Sequence, residues 1–298
     1  MELIDGVEFI TVDKRAGLAA GRDLRASLRG RHFDLLLHMQ LSLRASLLSM
    51  LVPATVRLGF DRRRARELQW LFTNARIAPR CREHVLDSFF GFVEALGIRE
   101  PTLRWDVPLP PSAVDYAQEL IPDARPTLVI SPCSSHARRN WRSDGYAAVA
   151  DHAVRRHGMR VILAGGPTEM ERAAAAAIER EAHVPILNQV GRDTLPQMLA
   201  LLARATVLLT PDSGPAHMAT MVGTRVIGLY AATNPARSGP YLSRRWCVNA
   251  YPQAALRFRG LAPEELPWTE KIEEPGVMDL IQVPQVTAKL DELLAYEA

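Results

Sequence analysis

The residues best suited to chemistry lie in a short segment near residue 210. The sequence TPDSGP at 210–215 follows an apolar run and leads directly into a helical pattern that contains His217. Such a strand–turn–helix junction directs free backbone N–H groups and the positive end of the helix dipole to one place, which favours an anion. Gly214 would let a ligand approach the backbone closely. A plain helix cap formed by Asp212 or Ser213 is the simpler alternative.

A second polar loop has the same relation to an apolar run. It is the segment ISPCSSHARRNWR at 130–142. Its hydroxyl and guanidinium groups belong to Ser134, Ser135, Arg138 and Arg139. At ~4 Å and an effective dielectric constant of about 20, one cation–phosphate pair is worth roughly 4 kcal/mol before desolvation. The alternative is a solvated basic loop anchored by Trp141, but two such loops in one domain favour an anion site.

A third loop contains acidic residues. In VILAGGPTEMER, at 161–172, a Gly-Gly-Pro turn ends an apolar run, and Glu169 and Glu171 open the next helical pattern. One of these acids could accept hydrogen bonds from a ribose or a base. The alternative is the favourable placement of acids at a helix N-terminus, and this alternative is preferred for Glu171.

The elements that must position these loops alternate regularly in the second half of the chain. Apolar runs occur at 127–131, 159–164, 206–209 and 225–229, and helical patterns occur at 144–157, 168–182, 194–204 and 214–222. This alternation predicts a doubly wound parallel sheet. The first half is also read as α/β, with strands at 7–12, 34–38 and 55–58 and helices at 41–50 and 83–96. A proline-rich stretch at 99–126 predicts a linker near 105–125.

Composition narrows the class of protein. A chain of 298 residues predicts two domains, and its net charge of +3 is too small to indicate nucleic acid binding. The three cysteines are scattered, so they predict neither a disulfide framework nor a zinc site. No apolar run reaches the ~18 residues of a membrane span, and the N-terminus has no signal-peptide pattern. These features are typical of a cytoplasmic protein.

The three loops, in this order, resemble glycosyltransferase family 9, the bacterial ADP-heptose:lipopolysaccharide heptosyltransferases. The resemblance rests on SSHARRNW, AGGPTEMER and above all PDSGPAHMA, and continues through GVMDLIQVPQVTAKLDELL at 276–294. In the first half, 34–60 and the Ala-Arg-Glu triplet at 65–67 look like the heptosyltransferase I branch. The resemblance therefore covers nearly the whole chain.

The family implies an α/β fold of the GT-B class, with two Rossmann-like domains facing across a cleft. Transferred to this chain, the boundaries are 1–122 for an acceptor-side domain and 123–282 for a nucleotide-sugar domain. The segment 283–298 is then a C-terminal helix that crosses back to the first domain.

The resemblance also implies the reaction. It is an inverting transfer of heptose from ADP-heptose to the Kdo region of the lipopolysaccharide inner core, without a metal or other cofactor, at the cytosolic face of the inner membrane. The residues that match the diphosphate-binding positions are Ser134, Ser135, Arg139, Asp212, Ser213, Gly214 and His217. Glu169 matches the nucleoside-side acid. Independently of any motif, an arginine cluster could meet acceptor carboxylates or phosphates, namely Arg62, Arg63, Arg64 and Arg66.

The chain departs from the family pattern at its beginning. Relatives start with a further strand and a Gly-Asp loop that carries the aspartate proposed as general base, and MELIDGVEFITVDK looks like a later region. Asp13 does not match that base, so the first domain is read as incomplete and the catalytic base is not assigned. Three explanations stay open: a longer natural protein, an inactive sugar-nucleotide-binding relative, or a substitute carboxylate. A sugar-nucleotide epimerase of the same architecture is a further alternative.

Overall fold

Strands and helices alternate through both halves of the chain. The computed structural model describes residues 6–13 and 15–297. Within it the chain separates into two units, Met1–Arg104 and Trp105–Ala298. Among the residues described, no helix has both the length and the apolar character needed to cross a membrane.

The first unit contains a small parallel sheet. Its elements are α1 (Leu18–Ser27), β1 (Phe33–Leu37), α2 (Leu43–Ser49), β2 (Ala54–Gly59), β3 (Ala75–Arg76) and α3 (Val85–Ala95), with a 3₁₀ turn at Gln69–Leu71. The three strands lie in the order β1-β2-β3, and both neighbouring pairs are parallel. Predicted strands at 34–38 and 55–58 and helices at 41–50 and 83–96 therefore correspond to observed elements.

The predicted strand at 7–12 is wrong. These residues form no regular structure, and Val7 and Phe9 are about half exposed. The alternation of apolar residues reports only which side chains could share a face. A strand also needs a neighbour that pairs with its backbone N–H and C=O groups, and 7–12 pairs with no strand in the described part of the chain.

The second unit holds a larger parallel sheet. Its elements are α4 (Pro111–Leu120), β4 (Thr127–Ile130), α5 (Ser143–His157), β5 (Arg160–Leu163), α6 (Glu169–Glu181), β6 (Leu187–Asn188), α7 (Leu195–Arg204), β7 (Val207–Pro211), α8 (Gly214–Met221), β8 (Arg225–Tyr230), α9 (Pro235–Ser238), β9 (Val248–Asn249), α10 (Tyr251–Arg259) and α11 (Val283–Glu297). The strand order is β6-β5-β4-β7-β8-β9, and every neighbouring pair is parallel.

Both faces of this sheet are covered. Along β4, Leu128 and Ile130 belong to one hydrophobic cluster, whereas Val129 belongs to the other. The same division separates Leu209 from Leu208 in β7. Successive side chains of a strand point to opposite faces, so each strand has to be apolar throughout, as the uninterrupted apolar runs of the sequence predicted.

The boundary between the units differs from the predicted one at 122. The proline-rich stretch contains α4, which begins at Pro111 and packs on α7 through Ala113, Ala117 and Ala200. A proline in the first helical turn lacks only an N–H that would be unpaired there in any case. The prolines therefore start a helix of the second unit, and the division falls after Arg104.

The last helix contributes to the core of the second unit. Val286, Leu290 and Leu293 of α11 are fully buried in its main hydrophobic cluster. That the segment 283–298 crosses back to the first domain stays a prediction.

Candidate functional site

The candidate site lies where the strand order of the larger sheet reverses. β4 is the first strand of this sheet in the chain; β5 lies on one side of it and β7 on the other. The ends of β4 and β7 are tied together, because Ser131 N–H donates to the Leu209 carbonyl at 3.0 Å and the buried Thr210 hydroxyl donates to the Ser131 carbonyl at 2.8 Å. Ligands of open α/β sheets bind outside such a reversal, at the carboxyl ends of the strands.

The loops that follow these two strands open into one cavity of about 660 Å³. Five of the residues predicted from sequence line it, namely Ser134, Ser135, Asp212, Ser213 and Gly214. The Gly165-Gly166-Pro167 turn after β5 and the start of α7 complete its wall. The structure therefore brings the two predicted anion-binding loops together, and the space between them is open.

The N-terminus of α8 faces this cavity. Ser213 is the N-cap residue, and its hydroxyl is 2.8 Å from that of Thr210. A side chain at Gly214 would meet nothing within 4 Å, so the backbone there is open to an approaching group. The first N–H groups of a helix have no partner within the helix and attract negative charge, which makes this the most favourable place in the cavity for a phosphoryl group.

Arg139 is the cation next to this helix start. Its Nε and Nη2 donate to Glu273 Oε1 at 2.8 and 2.7 Å, whereas its Nη1 lies 3.5 Å from Asp212 Oδ2. Burial alone would raise the pKa of Glu273, but the hydrogen bonds and charge of Arg139 outweigh it and hold this pKa below its ordinary value. Glu273 is thus ionised and orients the guanidinium, and Nη1 keeps hydrogen atoms to offer to a ligand.

Glu273 could not be found from sequence patterns. It is 134 residues from Arg139 in the chain and precedes a short 3₁₀ turn at Val277–Leu280. His136 Nε2 lies 3.5 Å from the other oxygen of the same carboxylate. Arg138, on the same 3₁₀ turn as Arg139, is exposed.

The loop after β4 is held by its own polar groups. Ser134 N–H donates to Asn140 Oδ1 at 2.7 Å, and the Ser134 hydroxyl both donates to the His136 carbonyl and accepts from the His136 N–H at 3.1 Å. Ser134 therefore shapes the loop as well as lining the cavity. Ser135 is exposed, and its hydroxyl is the one that a ligand can reach without breaking these bonds.

Of the two glutamates in the third loop, Glu171 lies on the cavity wall and Glu169 does not. Glu169 is exposed and does not line the cavity. The Glu171 carboxylate accepts from Gly166 N–H at 2.7 Å and from the Thr168 hydroxyl at 2.6 Å, so it closes the Gly-Gly-Pro turn. The placement of Glu169 next to a nucleoside is not supported by this geometry, because the first turn of α6 directs its side chain to solvent.

Like Arg139, His217 is a matched residue that does not line the cavity. It lies in the second half of the first turn of α8, is exposed and is not part of the cavity wall. Loss of hydration lowers its pKa, and the nearby Asp212 carboxylate opposes this change. A ligand would have to extend beyond the cavity along α8 to reach its ring.

The arginine cluster lies in the first unit, and its four side chains differ in burial and in the groups that they contact. Arg64 is half-buried, forms ion pairs with Asp61 and Glu83, and donates to the Ala78 carbonyl at 2.6 Å. It is therefore a structural residue, which argues against its predicted role with an acceptor. Arg62 is exposed and stacks on Trp70 with its guanidinium carbon 4.5 Å from the ring centroid.

Arg63 and Arg66 are also exposed. Arg63 N–H donates to Asp61 Oδ1 at 3.0 Å, and its guanidinium Nη1 lies 3.9 Å from Cys81 Sγ at the surface. The ion pairs of Arg64 could not be recognised from sequence. The four arginines are neighbours of the same type, and only the folded structure shows which of them contacts carboxylates.

Asp193 lies on the cavity wall, although no sequence pattern distinguishes it as a site residue. Thr194 is the N-cap of α7 and forms a capping box with Gln197, so Asp193 is not needed as a cap. Asp193 lines the cavity, and its Oδ2 is buried without a hydrogen-bond partner among the described residues. Burial raises the pKa of Asp193 to about 6, and the Glu171 carboxylate adds to the rise.

Asp193→Asn should therefore remove a pH dependence of stability. The unfolded carboxyl group titrates near about pH 4 and the folded one near about 6. The wild type thus loses stability as the pH rises through this window, by at most about 2.7 kcal/mol for a shift of two pKa units, and by less after solvent screening. The asparagine variant cannot ionise, so it should match the wild type near pH 4 and exceed it above pH 7 in urea unfolding.

Asp123→Asn is the matched control for this experiment. The pKa of Asp123 is lowered by the N–H of Arg125 and by hydrogen bonds from Arg160, so its ionised form stabilises the fold. Asp123→Asn should therefore be less stable than the wild type above about pH 4. Asp193→Asn should instead be more stable than the wild type at the same pH. If the unfolding free energies of wild type and Asp193→Asn changed with pH in parallel, Asp193 would not be buried in its acid form.

The sequence model of the family described as glycosyltransferase family 9 (heptosyltransferase) matches residues 22–265 of this chain. The chain belongs to glycosyltransferase family 9. The predicted family and enzyme class, a glycosyltransferase, are thereby confirmed.

Similar sequences agree with this assignment. The chain is 38% identical to the lipopolysaccharide core heptosyltransferase OpsX of Haemophilus influenzae over 290 residues, which cover 97% of this chain and 83% of that protein. It is 25% identical to lipopolysaccharide heptosyltransferase 3 of Escherichia coli, over 90% of this chain and 77% of the relative.

Solved structures show the same fold. A family 9 glycosyltransferase from Veillonella parvula superposes with a TM-score of 0.75 at 19% identity, covering 97% of this chain and 83% of the other. The E. coli heptosyltransferase WaaC with ADP gives a TM-score of 0.65 at 19% identity, covering 93% and 78%. The expected α/β fold of the GT-B class is confirmed.

Proposed function

We propose that this glycosyltransferase moves heptose from ADP-heptose to the Kdo region of the lipopolysaccharide inner core, with inversion at the anomeric carbon. One observation carries the proposal: the loops after β4 and β7 meet at a cavity that the N-terminus of α8 faces, and Arg139 lies behind its wall with Nη1 3.5 Å from the wall residue Asp212. The names of the relatives supply the sugar and the acceptor, since OpsX is a lipopolysaccharide core heptosyltransferase and WaaC was solved with ADP.

The proposed chemistry needs stabilisation of a leaving group. The acceptor hydroxyl oxygen attacks the anomeric carbon, the bond from this carbon to the diphosphate oxygen breaks, and ADP departs with the bonding electrons. The hydroxyl proton passes to a general base that we do not assign. Asp13 does not match the base of the family, and its Oδ1 accepts from Arg15 N–H at 2.8 Å in an exposed turn.

Charge on the departing diphosphate would be balanced by the chain itself. The first N–H groups of α8 and the Nη1 of Arg139 converge near Gly214 and Asp212. Donors fixed in advance at the place where charge develops lower a barrier without reorganisation. We therefore propose that ADP departs without help from a metal ion, and that Ser135 supplies a further hydrogen bond.

The nucleoside side of the donor would extend toward α6 and α7. The cavity continues from the α8 start to the Gly165-Gly166-Pro167 turn and to Met170, Asp193 and Leu195. Apolar wall atoms beside the carboxyl groups of Asp193 and Glu171 suit the face and the polar edge of a base. Glu169 has no part in this proposal.

The acceptor side is proposed to include Arg62, Arg63 and Arg66. All three are exposed in the first unit, and arginine suits bidentate contacts with carboxylate or phosphate. An acceptor that is part of a lipid requires the reaction to take place at a membrane surface, which we propose to be the cytosolic face of the inner membrane.

ADP release in the presence and absence of a Kdo-containing lipid acceptor tests the proposal. We expect release only when acceptor and ADP-heptose are both present, together with inversion at the anomeric carbon by NMR. Conversion of the donor without acceptor would indicate an epimerase instead. Tight ADP binding without any transfer would indicate a binding relative.

Gly214→Val is the matched variant for this assay. Its side chain would enter open space, so the fold should keep its thermal unfolding temperature while the valine occupies the approach to α8. Transfer and ADP binding should both fall at least about 10-fold, a loss of one charge-assisted contact or more, with Gly214→Ala in between. Full activity of Gly214→Val would remove the α8 start from the donor site.

A further inference from the structure

A cluster of three metal-ligating side chains lies outside the donor cavity, between α5 and α11. His152 and His157 belong to α5, and Asp291 belongs to α11. Each histidine places its Nε2 next to the same carboxylate oxygen, Asp291 Oδ1, at 2.7 Å for His152 and 2.6 Å for His157. The two imidazole rings meet nearly edge to face, with their centroids 5.5 Å apart.

The cluster is neither buried nor freely solvated. The side chains of His152 and His157 are 27% and 22% exposed, and that of Asp291 is 45% exposed. Burial would raise the pKa of Asp291, but the two histidines outweigh it and lower this pKa. No lysine or arginine in the described part of the chain is found paired with this carboxylate, so its partners are two imidazoles.

Two imidazoles and one carboxylate form a donor set typical of divalent zinc and neighbouring transition metals. One ligand atom from each side chain can be chosen so that all three lie within 4.8 Å of one another. Tetrahedral zinc, with bonds near 2.0–2.2 Å, separates its ligand atoms by about 3.4 Å. The hydrogen-bonded atoms would therefore have to move apart by less than about 1 Å, which partly exposed side chains allow, and water would supply the fourth ligand.

We propose that His152, His157 and Asp291 form a binding site for one divalent transition-metal ion, zinc or a close substitute, that links α11 to α5. The site is structural and separate from the reaction, because none of the three residues lines the donor cavity. Its ligands come from two helices whose apolar faces already pack together, since Val286, Leu290 and Leu293 are buried there. The ion therefore stabilises an existing contact, as any ligand of the folded state does.

Zinc titration of the metal-free, tag-free chain by calorimetry tests this site. We expect one ion per chain, and a thermal unfolding temperature that rises with zinc concentration. His152→Gln, His157→Gln and Asp291→Asn should each weaken binding at least about 10-fold, no less than the loss of an outer-shell partner of a metal site. Cobalt should give the visible absorption of a tetrahedral ion in the wild type, and zinc should abolish it.

His183→Gln is the matched control. His183 also pairs with a carboxylate, Asp151, at 2.9 Å, but in the described structure no second histidine joins that pair. This variant should bind zinc as the wild type does.

Absence of binding to the wild type, or equal binding by all four variants, overturns the proposal. The cobalt spectrum is recorded on the wild type alone, so the test stands even if a variant fails to fold. None of these readouts depends on transferase activity, so the metal site can fail while the proposed function holds, or the reverse.

Discussion

Arg139→Ala should weaken ADP binding by about 10- to 150-fold, the value of one charge-assisted hydrogen bond of about 1.5–3 kcal/mol. Calorimetry with ADP measures this effect directly. Arg139 is the half-buried cation beside the α8 start, with Nη1 3.5 Å from Asp212. It also neutralises Glu273, so its removal leaves two carboxylates near the position of the diphosphate.

The contribution of these carboxylates can be separated from that of Arg139. In Arg139→Ala, the unpaired charge of Glu273 repels the diphosphate, so Arg139→Ala with Glu273→Gln should recover part of the lost affinity. Glu273→Gln alone keeps the cation but loosens its two hydrogen bonds of 2.7 and 2.8 Å. A double-mutant cycle then gives the coupling between the two side chains.

Arg155→Ala is the control for the loss of one positive charge. Arg155 is 62% exposed and pairs with Asp151 on α5, so ADP affinity should stay within about twofold, since exposed ion pairs are worth little. Unchanged ADP binding by Arg139→Ala would remove this residue from the donor site. The proposal that the chain itself stabilises the leaving group would then lose its main cation.

Trp141→Ala should lower the unfolding free energy by about 3–5 kcal/mol, as is usual when a buried tryptophan is truncated. Trp141 is 5% exposed, and its Nε1–H donates to the Ile281 carbonyl at 3.0 Å. Its ring meets that of Tyr146 edge to face, with the centroids 5.2 Å apart. Urea unfolding monitored by circular dichroism measures the loss.

The same substitution should also weaken ADP binding. Trp141 directly follows the loop that carries Ser135 and Arg139, and it fixes the end of this loop to Ile281, two residues before α11 begins. Trp141→Phe keeps most of the packing and loses the hydrogen bond, so it should cost about 1–3 kcal/mol. A loss below about 1 kcal/mol for Trp141→Ala would contradict this account of the loop anchor.

Gly145→Ala tests the same packing from the other side. A Cβ at Gly145 would lie 2.7 Å from the ring of Trp141, so the alanine should push the ring out of place at a cost of about 1–3 kcal/mol. Trp70→Ala is the control for loss of a tryptophan outside the second unit. Trp70 is only half-buried and stacks with exposed Arg62, so its effect on ADP affinity should be small.

The sequence by itself determined the architecture of the second unit and the location of its anion site. Apolar runs of strand length separated by helical patterns can be satisfied only by a sheet covered on both faces. The segments 130–142 and 206–217 then have to lie at the carboxyl ends of their strands. These conclusions depend on local periodicity and on the positions of glycine and proline. Both can be read from neighbouring residues without knowledge of the fold.

Tertiary structure decided which side chains meet. Glu273 reaches Arg139 across 134 residues of chain, and Arg64 differs from its neighbours only because Asp61 and Glu83 face it. Glu171, and not Glu169, points to the cavity, because two positions along a helix differ by about 200° in direction. Residues 7–12 alternate like a strand but pair with none among the described residues, since pairing depends on a neighbour that periodicity cannot supply.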